Sequence, residues 1–516
     1  MHSKMHWTDD ILKKLLMRGD EHVIETGTSI SGIPHIGNAA DVIRGDAVRK
    51  VLAEKGVRAG FIWVADDSDP FRKVPAGMEK LRNYLGFPVK DIPDPDGCHR
   101  NFVDHFVEPF IEDLEIYGIK PDIYSSTELY RGGEFRKEIR KALDESEKII
   151  GILNESRKEP LTDEFIAWAP ICEGCGRIST TKVYGRDADI VEYRCEDTVV
   201  SGNEVKGCGY RGESDINKGE GKLPWRVEWA ARWKHFRVTC EPLGKEHASS
   251  GGSFWTSQKI CREVFKWDPP VPLIYEFFTM NGQKISSSKG NVITLRDWLD
   301  ICEPEVLKYF MYKRLMKQRD INLRRIPSIV DEYDRAEEVY FGIQEGDVTL
   351  KRGYELAQIE EPSKLGIPYT MCAVMAQIVP DLNVEDISKR LERQGYHGFD
   401  KKRLEKRLKV AGEWNRIYGP EYLNFTISSE RDSRQIKKKL GDKEKKALRE
   451  IADELDREQT PEEFHRRIYE ISRANSLDPA KLFQAIYRIL IGKDRGPKAA
   501  SFLLTLEKDF IRERFM

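Results

Sequence analysis

The pattern that most constrains this chain lies between residues 20 and 66, where a strand, a glycine-rich turn, a helix and a second strand follow one another. The segment 20–26 is typical of a short strand, and a turn rich in glycine and hydroxyl side chains comes after it. From Asn38 to Lys55 apolar side chains recur at helical spacing. Residues 60–65 form an apolar run typical of a buried strand. This βαβ unit predicts a parallel sheet with a ligand site at the carboxyl ends of its strands.

The remaining chain divides by composition. Residues 170–212 interrupt the α/β rhythm, because they are rich in glycine and cysteine, and they predict a small inserted module. The α/β pattern resumes near Trp225, and from about Thr294 onward nearly every segment is typical of helix, with basic clusters at Lys401–Lys409 and Arg434–Lys439. Further elements are expected as helices at 102–117 and 133–157 and as strands at 122–126 and 274–278.

Length and charge set the broad class. A chain of 516 residues is too long for one core, so we expect three or four domains. The formal net charge is −2, so any nucleic-acid surface must be a local basic patch. Apolar runs are far shorter than the ~20 residues of a membrane span, and the first residues lack the apolar core of a secretory signal. We therefore expect a cytoplasmic protein without a membrane segment, whose nine cysteines are metal ligands and buried thiols.

The turn Pro34-His35-Ile36-Gly37-Asn38 is suited to ATP. It lies where the strand-turn meets the helix, and a helix N-terminus offers unpaired N–H groups and partial positive charge to phosphates. Gly37 has no Cβ, so adenine or ribose could approach the backbone closely. His35 and Asn38 could donate hydrogen bonds to phosphate or ribose oxygens. The alternative is an ordinary glycine turn with a surface histidine.

A second polar segment, Asn281–Asn291, is dense in glycine and serine and predicts a mobile loop between a strand and a helix. A lysine on such a loop can move onto pyrophosphate oxygens as charge develops there. The candidate ATP-binding residues of this loop are Lys284, Ser286, Ser287, Ser288 and Lys289. Alone, the segment is also compatible with a flexible linker, but the joint occurrence of both motifs at the ends of the α/β region favours ATP binding.

Four cysteines of the inserted module have metal-ligand spacing. Cys172 and Cys175 form a CxxC pair, and Cys195 and Cys208 follow among glycines. Tetrahedral zinc favours thiolates, and glycine lets backbone N–H groups turn towards sulfur. The second pair is wider than a usual zinc knuckle, and unrelated buried thiols are the alternative.

A mixed cluster precedes this module. Asp94, Cys98, His99 and His105 surround a turn and a helix start, and carboxylate, thiolate and imidazole are plausible zinc ligands. Coordination of one ion by the adjacent Cys98 and His99 is sterically tight. On spacing alone, a helix-capping turn with a chance Cys–His pair is the favoured alternative.

Two further segments could line a substrate pocket. Trp225, Trp229 and Trp233 share one helical face, which favours core packing over a pocket wall. Residues 244–253 combine a charged turn containing His247 with a glycine and serine run that opens a helix. Such a helix N-terminus suits the adenosine side of a nucleotide.

Taken together, these motifs resemble those of the class I aminoacyl-tRNA synthetases. Pro34–Asn38 is similar to the HIGH motif and Lys284–Gly290 to the KMSKS motif. With Asp66–Pro75, the 94–105 cluster and the tryptophan face, the chain resembles the class I lysyl-tRNA synthetase family, which occurs mainly in archaea and some bacteria. The resemblance covers about residues 20–330. Ser287 stands where many class I enzymes carry a second lysine, so phosphate neutralisation would fall on Lys284, with Lys289 as helper.

The resemblance implies an α/β Rossmann (HUP-like) catalytic domain with a zinc-containing insertion, plus an all-α C-terminal anticodon-binding domain. It also raises the expectation of zinc at Asp94, Cys98, His99 and His105. The division it suggests is 1–95 and 223–293 for the two Rossmann halves, 96–222 for the insertion, 294–330 for a stem-contact segment, and 331–516 for the helical region.

The resemblance further implies lysine–tRNA ligase activity by a monomer. ATP with Mg²⁺ would activate L-lysine, and lysine would pass to the 2′-hydroxyl of the terminal adenosine of tRNA(Lys). His35 and Lys284 would stabilise the transition state, and no general base is needed because the carboxylate is already ionised. The ε-ammonium needs a small acidic pocket. Its candidate residues are Glu25, Gly27, Thr28, Asp66, Asp67, Trp225 and Glu276.

Three rival functions stay open from the sequence. A glutamyl-tRNA synthetase would need a cationic pocket, whereas the strand ends here are rich in acids. A small-molecule nucleotidyltransferase would leave the long helical tail unexplained. A non-enzymatic zinc-ribbon RNA-binding protein would bind tRNA without turning over ATP.

Overall fold

The computed structural model describes residues 5–285 and 292–516. The chain forms two compact units, Met1–Arg296 with Met311–Ile321, and Asp297–Phe310 with Asn322–Met516. Within the described ranges, no helix combines the length and the apolar character needed to cross a bilayer.

The strands in chain order are β1 Glu21–Ser29, β2 Arg58–Asp66, β3 Asp122–Ser125, β4 Ala169–Pro170, β5 Thr181–Asp187, β6 Ile190–Cys195, β7 Thr198–Val200, β8 Asn203–Val205, β9 Arg211–Asp215, β10 Gly221–Lys222, β11 Cys240–Gly244, β12 Val271–Tyr275, β13 Phe278–Met280, β14 Gln283–Lys284 and β15 Arg319–Ile321.

The helices in chain order are α1 Trp7–Leu16, α2 Ile36–Ala53, α3 Phe102–Ile116, α4 Ser126–Arg131, α5 Arg136–Asp144, α6 Ser146–Asn154, α7 Trp225–His235, α8 Ser253–Glu263, α9 Leu295–Ile301, α10 Pro304–Tyr312, α11 Ile326–Tyr340, α12 Val348–Ala357, α13 Tyr369–Ile378, α14 Val384–Glu392, α15 Lys401–Tyr418, α16 Glu430–Lys438, α17 Asp442–Glu454, α18 Pro461–Ala474, α19 Pro479–Ile491, α20 Ala499–Thr505 and α21 Lys508–Phe515. Short 3-10 turns lie at Glu79–Tyr84, Val89–Asp91, Ile216–Lys218, Leu323–Arg325 and Pro380–Leu382.

A five-stranded parallel sheet organises the first unit, in the order β12-β11-β1-β2-β3. β1 and β2 pair along their whole length, from Glu21 opposite Arg58 to Ser29 opposite Asp66. The last six residues of β2 are all buried, as expected for a parallel strand covered on both faces. The parallel sheet predicted from the βαβ pattern is confirmed, and its strands end together at one edge.

The inserted module lies between α6 and α7 and is built from short strands. β5, β6 and β9 form an antiparallel sheet, and β7 pairs with β8 as a separate ribbon. Its small core contains Cys172, Tyr193 and Cys195. So little apolar surface makes a poor core by itself, which gives the cysteines a structural importance.

The second unit is almost entirely helical. One of its cores gathers the inner faces of α16 to α21, with Leu448, Ile468 and Ile486 fully buried. The predicted helical C-terminal region is therefore confirmed.

Element boundaries differ from the sequence expectations in instructive places. The helix expected at 133–157 is two helices, because Glu145 has a non-helical backbone conformation (φ −105°, ψ 29°). The strand expected at 274–278 is the end of β12 and the start of β13, which belong to different sheets. Hydrophobic patterning does not distinguish one long apolar strand from two short ones that meet at a change of sheet.

Candidate active site and metal centres

A cavity of about 560 Å³ opens at the carboxyl ends of the parallel strands. β1, β2, β11 and β12 all end at its wall, as expected for a ligand site of an open α/β sheet. Of the predicted site residues, the lining includes Gly27, Thr28, His35, Gly37, Asn38, Asp66, Trp225 and His247. It also includes residues that were not predicted, among them Asp41, Asp69, Arg72, Trp229, Arg232, Glu241, Glu246 and Tyr275.

The Pro34–Asn38 turn forms the N-terminus of α2 at this cavity. The His35 imidazole accepts a hydrogen bond from the Gly37 N–H at Nδ1 (3.0 Å), and the Asn38 side chain accepts one from the His35 N–H (3.0 Å). A Cβ on Gly37 would lie 2.6 Å from the His35 ring, so this glycine makes room for the histidine itself. Asn38 and His35 thus fix each other, and Pro34 does not line the cavity.

His35 is a neutral side chain in this position. Burial lowers its pKa to about 4. With Nδ1 accepting from Gly37, the ring presents Nε2–H as a donor. His35 is therefore equipped to donate a hydrogen bond to an oxygen near neutral pH, and not to supply a positive charge.

The second motif returns to the same turn. The Ile36 N–H donates to the carbonyl of Ile293 (3.0 Å), and Ile285 lines the cavity. The backbone of Lys284 belongs to β14, opposite Thr279 of β13. The predicted residues Ser286, Ser287, Ser288 and Lys289 lie outside the described residues.

A fully buried arginine occupies the floor of the cavity. Arg232 of α7 is 1% exposed and pairs with Glu25 of β1 (2.7 Å) and Asp66 at the end of β2. Both acids were predicted to bind a substrate ammonium, but both contact the Arg232 guanidinium. Arg232 is 166 residues from Asp66 in the sequence. Burial still raises the pKa of Glu25 to about 7 and also raises that of Asp66.

A second buried cation lies beside this group. Lys222 of β10 pairs with Glu228 (2.8 Å) and with Asp69, which also accepts a hydrogen bond from Ser29 (2.9 Å). The cluster thus holds five carboxyl groups, Glu25, Asp66, Asp69, Glu228 and Glu241, against the two cations Lys222 and Arg232. An excess of acids in a buried site favours a cationic ligand.

Glu241 is the acid of this cluster that lacks a cationic partner. It is 5% exposed, lines the cavity, and accepts hydrogen bonds from the indole N–H groups of Trp229 (2.7 Å) and Trp233. Within the described part of the chain, no lysine, arginine or histidine nitrogen lies within 4.0 Å of its carboxyl oxygens. Burial raises its pKa well above the usual range. Sequence reasoning missed Glu241, although a single acid inside the apolar strand Cys240–Gly244 was a detectable signal.

The tryptophan face has both of the roles considered for it. Trp233 is fully buried in the core, as favoured from the sequence. Trp225 and Trp229 line the cavity and stack on each other at 4.9 Å between ring centroids. The helical face thus packs into the core at Trp233 and forms a cavity wall at Trp225 and Trp229. The indole N–H groups of Trp229 and Trp233 orient the Glu241 carboxylate.

Besides Glu25, which pairs with Arg232, two predicted substrate residues do not line the cavity. The Asp67 carboxylate accepts from the Ser125 and Ser126 hydroxyls and from the Thr127 N–H (2.7 Å), so it caps α4. Glu276 pairs with Lys245 (2.7 Å) and is not among the lining residues. In both cases a donor near the end of a neighbouring strand binds the carboxylate.

The far wall carries groups suited to a nucleoside. His247 contacts the Ser253 hydroxyl through Nδ1 (3.0 Å), and burial lowers its pKa. Tyr275 donates to Asp41 (2.6 Å), and burial raises the pKa of Asp41 to about 7. Neutral donors and acceptors of this kind match ribose and adenine better than phosphate.

The four cysteines of the inserted module converge. Cys172 and Cys208 have their sulfurs 3.6 Å apart, Cys175 and Cys195 have theirs 3.7 Å apart, and one ligand atom from each lies within 4.8 Å of all the others. Tetrahedral zinc with Zn–S bonds of ~2.3 Å places its sulfurs about 3.8 Å apart. The Cys208 N–H also donates to the Cys195 sulfur (3.3 Å). This donor set fits zinc.

The second cluster also converges, despite its tight spacing. His105 Nδ1 lies 3.0 Å from Asp94 and 3.3 Å from the Cys98 sulfur, which is 3.0 Å from His99 Nδ1. The four ligand atoms lie within 4.8 Å of one another. Carboxylate, thiolate and two imidazoles form a set that fits one divalent cation such as zinc.

Several known proteins are similar to this chain. The family model described as tRNA synthetases class I (K) matches residues 5–360. A lysine–tRNA ligase of Methanosphaera stadtmanae is 37% identical over 537 residues, covering 99% of each chain. One from Methanocaldococcus jannaschii is 37% identical over 542 residues, with the same coverage. A solved glutamate tRNA ligase from Elizabethkingia meningosepticum has 13% identity and a TM-score of 0.40 over 96% of this chain and 98% of its own.

Proposed function

The chain belongs to the class I tRNA synthetases, and from this premise we propose that it is a lysine–tRNA ligase. It activates L-lysine with ATP to lysyl-adenylate and pyrophosphate, and then transfers lysine to the 2′-hydroxyl of the terminal adenosine of tRNA(Lys). The near-full-length similarity to curated lysine–tRNA ligases supports this activity. The observation that carries the choice of amino acid is the excess of acids in the cavity.

Glu241 is the proposed partner of the substrate ε-ammonium. Glu25 and Asp66 are already paired with Arg232, and Asp67 and Glu276 are engaged elsewhere. A lysine side chain whose ammonium approached Glu241 would add the missing positive charge, with the tryptophan wall packing on its methylene groups. The rival glutamate specificity would need a cation to bind the substrate carboxylate. Arg232 already pairs with Glu25 and Asp66, whereas Arg72 also lines the cavity, so a panel of amino acids separates the two specificities.

The chemistry proposed for the cavity is positioning and charge stabilisation. The lysine carboxylate attacks the α-phosphate in line and needs no general base. His35, held in register by Asn38 and Gly37, donates a hydrogen bond to a phosphate oxygen, and Lys284 neutralises charge on the leaving pyrophosphate. ATP enters with Mg²⁺, which screens the phosphate charges.

The finer organisation is proposed on the same premise. The Cys172, Cys175, Cys195 and Cys208 set holds a structural zinc, and the Asp94, Cys98, His99 and His105 set holds a second. The boundaries 1–95, 96–222, 223–293, 294–330 and 331–516 separate the Rossmann halves, insertion, stem-contact segment and anticodon-binding region. We further propose a monomer that acts in the cytoplasm.

The zinc proposal has an internal control. Purified protein should contain two zinc ions per chain by elemental analysis. Cys208→Ser and Cys98→Ser should each lose one, because each belongs to a different cluster. A wild-type content below one ion would sink the proposal.

The activity is tested with an amino-acid panel. With purified protein, ATP and tRNA(Lys), lysine should be attached to tRNA, whereas glutamate and norleucine, which has the lysine chain without its ammonium, should not. Charging of glutamate, or ATP-independent tRNA binding without charging of any amino acid, would overturn the function in favour of its rivals.

A further inference from the structure

The helical unit carries a concentration of positive charge on α16, α17 and the turn between them. Residues 431–449 contain nine lysines and arginines and three acids, in a chain whose overall net charge is −2. The surplus is therefore local, which is the electrostatic footprint expected of a polyanion-binding surface.

Four of these cations form two pairs, one on each helix. Arg434 and Lys437 are one turn apart on α16, and Lys445 and Arg449 are one turn apart on α17. The opposite face of α17 is fixed in the core by Ala447, Leu448 and Ile451.

α16 is anchored in turn. The Ser433 hydroxyl donates to the carbonyl of Ile489 in α19 (2.8 Å). Both helices are thus held rigidly, and their cations are presented on a fixed frame.

The four cations lie near one another, and among the described residues only Arg434 has an acid within ion-pair distance. Burial lowers the pKa of Lys437, and so do the like charges of Arg449, Lys445 and Arg434. Across residues 5–285 and 292–516, no carboxylate oxygen lies within 4.0 Å of the Lys437 or Lys445 ammonium or the Arg449 guanidinium, while Arg434 pairs with Glu430. Holding cations together without counter-charges is unfavourable, so the arrangement is suited to an anionic partner.

We propose that Arg434, Lys437, Lys445 and Arg449 form a surface, the α16–α17 cationic face, that binds the phosphate backbone of the tRNA substrate. The inference rests on the proposed function for the identity of the RNA. Repeated phosphates match several cations on a rigid frame, whereas a single small anion would need only two or three donors. Because phosphate contacts carry no sequence information, the face contributes affinity and orientation and leaves anticodon reading to other residues.

The test neutralises the three unpaired cations together, as Lys437→Gln, Lys445→Gln and Arg449→Gln. The matched control is Lys401→Gln, Lys409→Gln and Arg512→Gln, which removes two lysines and one arginine that pair with Glu385, Glu405 and Asp456 in the same unit. Binding of an unmodified tRNA(Lys) transcript is measured at several KCl concentrations, and lysine attachment is measured as a function of tRNA concentration.

We expect the dissociation constant of the test variant to rise at least tenfold near 0.1 M salt, and the slope of its logarithm against log salt to fall by about 2 to 3. The KM for tRNA should rise, while kcat at saturating tRNA stays within twofold. Lys437→Arg with Lys445→Arg should retain wild-type binding. A non-cognate transcript should lose affinity by the same factor.

An unchanged affinity and salt slope in the test variant, or an equal loss in the control, would overturn the inference. These outcomes are separate from failure of the proposed function, which would appear as wild-type protein that binds tRNA but does not attach lysine.

Discussion

Two buried arginines, one in each unit, are built alike and differ in their surroundings. Arg232 is 1% exposed and pairs with Glu25 and Asp66, and Arg407 is 0% exposed and pairs with Glu303 (2.6 Å) and Asp334 (2.7 Å). The Arg407 guanidinium also donates to the Ile367 carbonyl (3.1 Å), and neither Arg407 nor its two acids are among the residues that line the cavity. Around Arg232 further acids remain, and the cluster opens into the cavity.

The difference separates a structural ion network from a binding site. Charges that pair with one another inside a core hold segments together and are not open to a ligand. Charges that are left unbalanced at a cavity wall reserve a place for a ligand of opposite sign. Glu241 is the clearest case, because within residues 5–285 and 292–516 its hydrogen bonds come from two neutral indole groups.

The largest expected loss of stability comes from breaking the ion pairs of Arg407. Arg407→Met would leave Glu303 and Asp334 buried without a counter-charge, so the free energy of unfolding in urea should fall by about 3–5 kcal/mol. Adding Glu303→Gln and Asp334→Asn should restore most of it, because no uncompensated charge then remains. A loss below 1 kcal/mol for Arg407→Met would show that the network does not stabilise the unit.

Breaking the open cluster should cost less stability. Arg232→Met leaves Glu25 and Asp66 unpaired, but Asp66 lines the cavity, where water can solvate its charge. We expect a loss of about 1–3 kcal/mol in the same urea titrations, together with loss of lysine activation. Equal losses for the two arginine variants would remove the distinction between the clusters.

A pH dependence should distinguish the open cluster next. Burial raises the pKa of Glu25 to about 7 and also raises that of Glu241, so Glu25 is mostly protonated at pH 6 before lysine binds, and Glu241 binds a proton more readily than a free glutamate does. An entering ammonium lowers their pKa, so lysine binding releases protons. Affinity for lysine should rise up to about tenfold per pH unit from pH 6 to 7. Calorimetry in two buffers of different ionisation enthalpy measures the release, and proton uptake would contradict it.

Much of this site could be predicted from local sequence, and some of it could not. The place of the Pro34–Asn38 turn at a helix start and the convergence of Cys172, Cys175, Cys195 and Cys208 were predictable, because each follows from residue types at a recognisable spacing. Spacing alone did not favour the set Asp94, Cys98, His99 and His105, which was expected from the family resemblance. Arg232 and Asp66 are 166 residues apart, and no local pattern reports that they meet. Asp67 was predicted to bind substrate because it follows Asp66 at the strand end. Its carboxylate instead accepts from the Thr127 N–H and caps α4, a contact that forms only in the folded chain.

The tryptophan face shows the same boundary within one helix. Helical spacing correctly grouped Trp225, Trp229 and Trp233 on one side of α7. It could not tell that this side runs from core to cavity, because that depends on where β11 ends. Glu241 was missed for the same reason: its role arises from two indole donors and an absent cation, which are properties of packing.

A comparison of lysine with norleucine tests whether Glu241 selects the substrate ammonium. The measurement is kcat/KM for both amino acids in wild type, Glu241→Gln and Glu246→Gln, the last being the same change at an exposed residue of the same cavity. We expect Glu241→Gln to lower the ratio of kcat/KM for lysine to that for norleucine about 100-fold, and Glu246→Gln to leave this ratio unchanged. An unchanged preference in Glu241→Gln, or an equal loss in both variants, would contradict it.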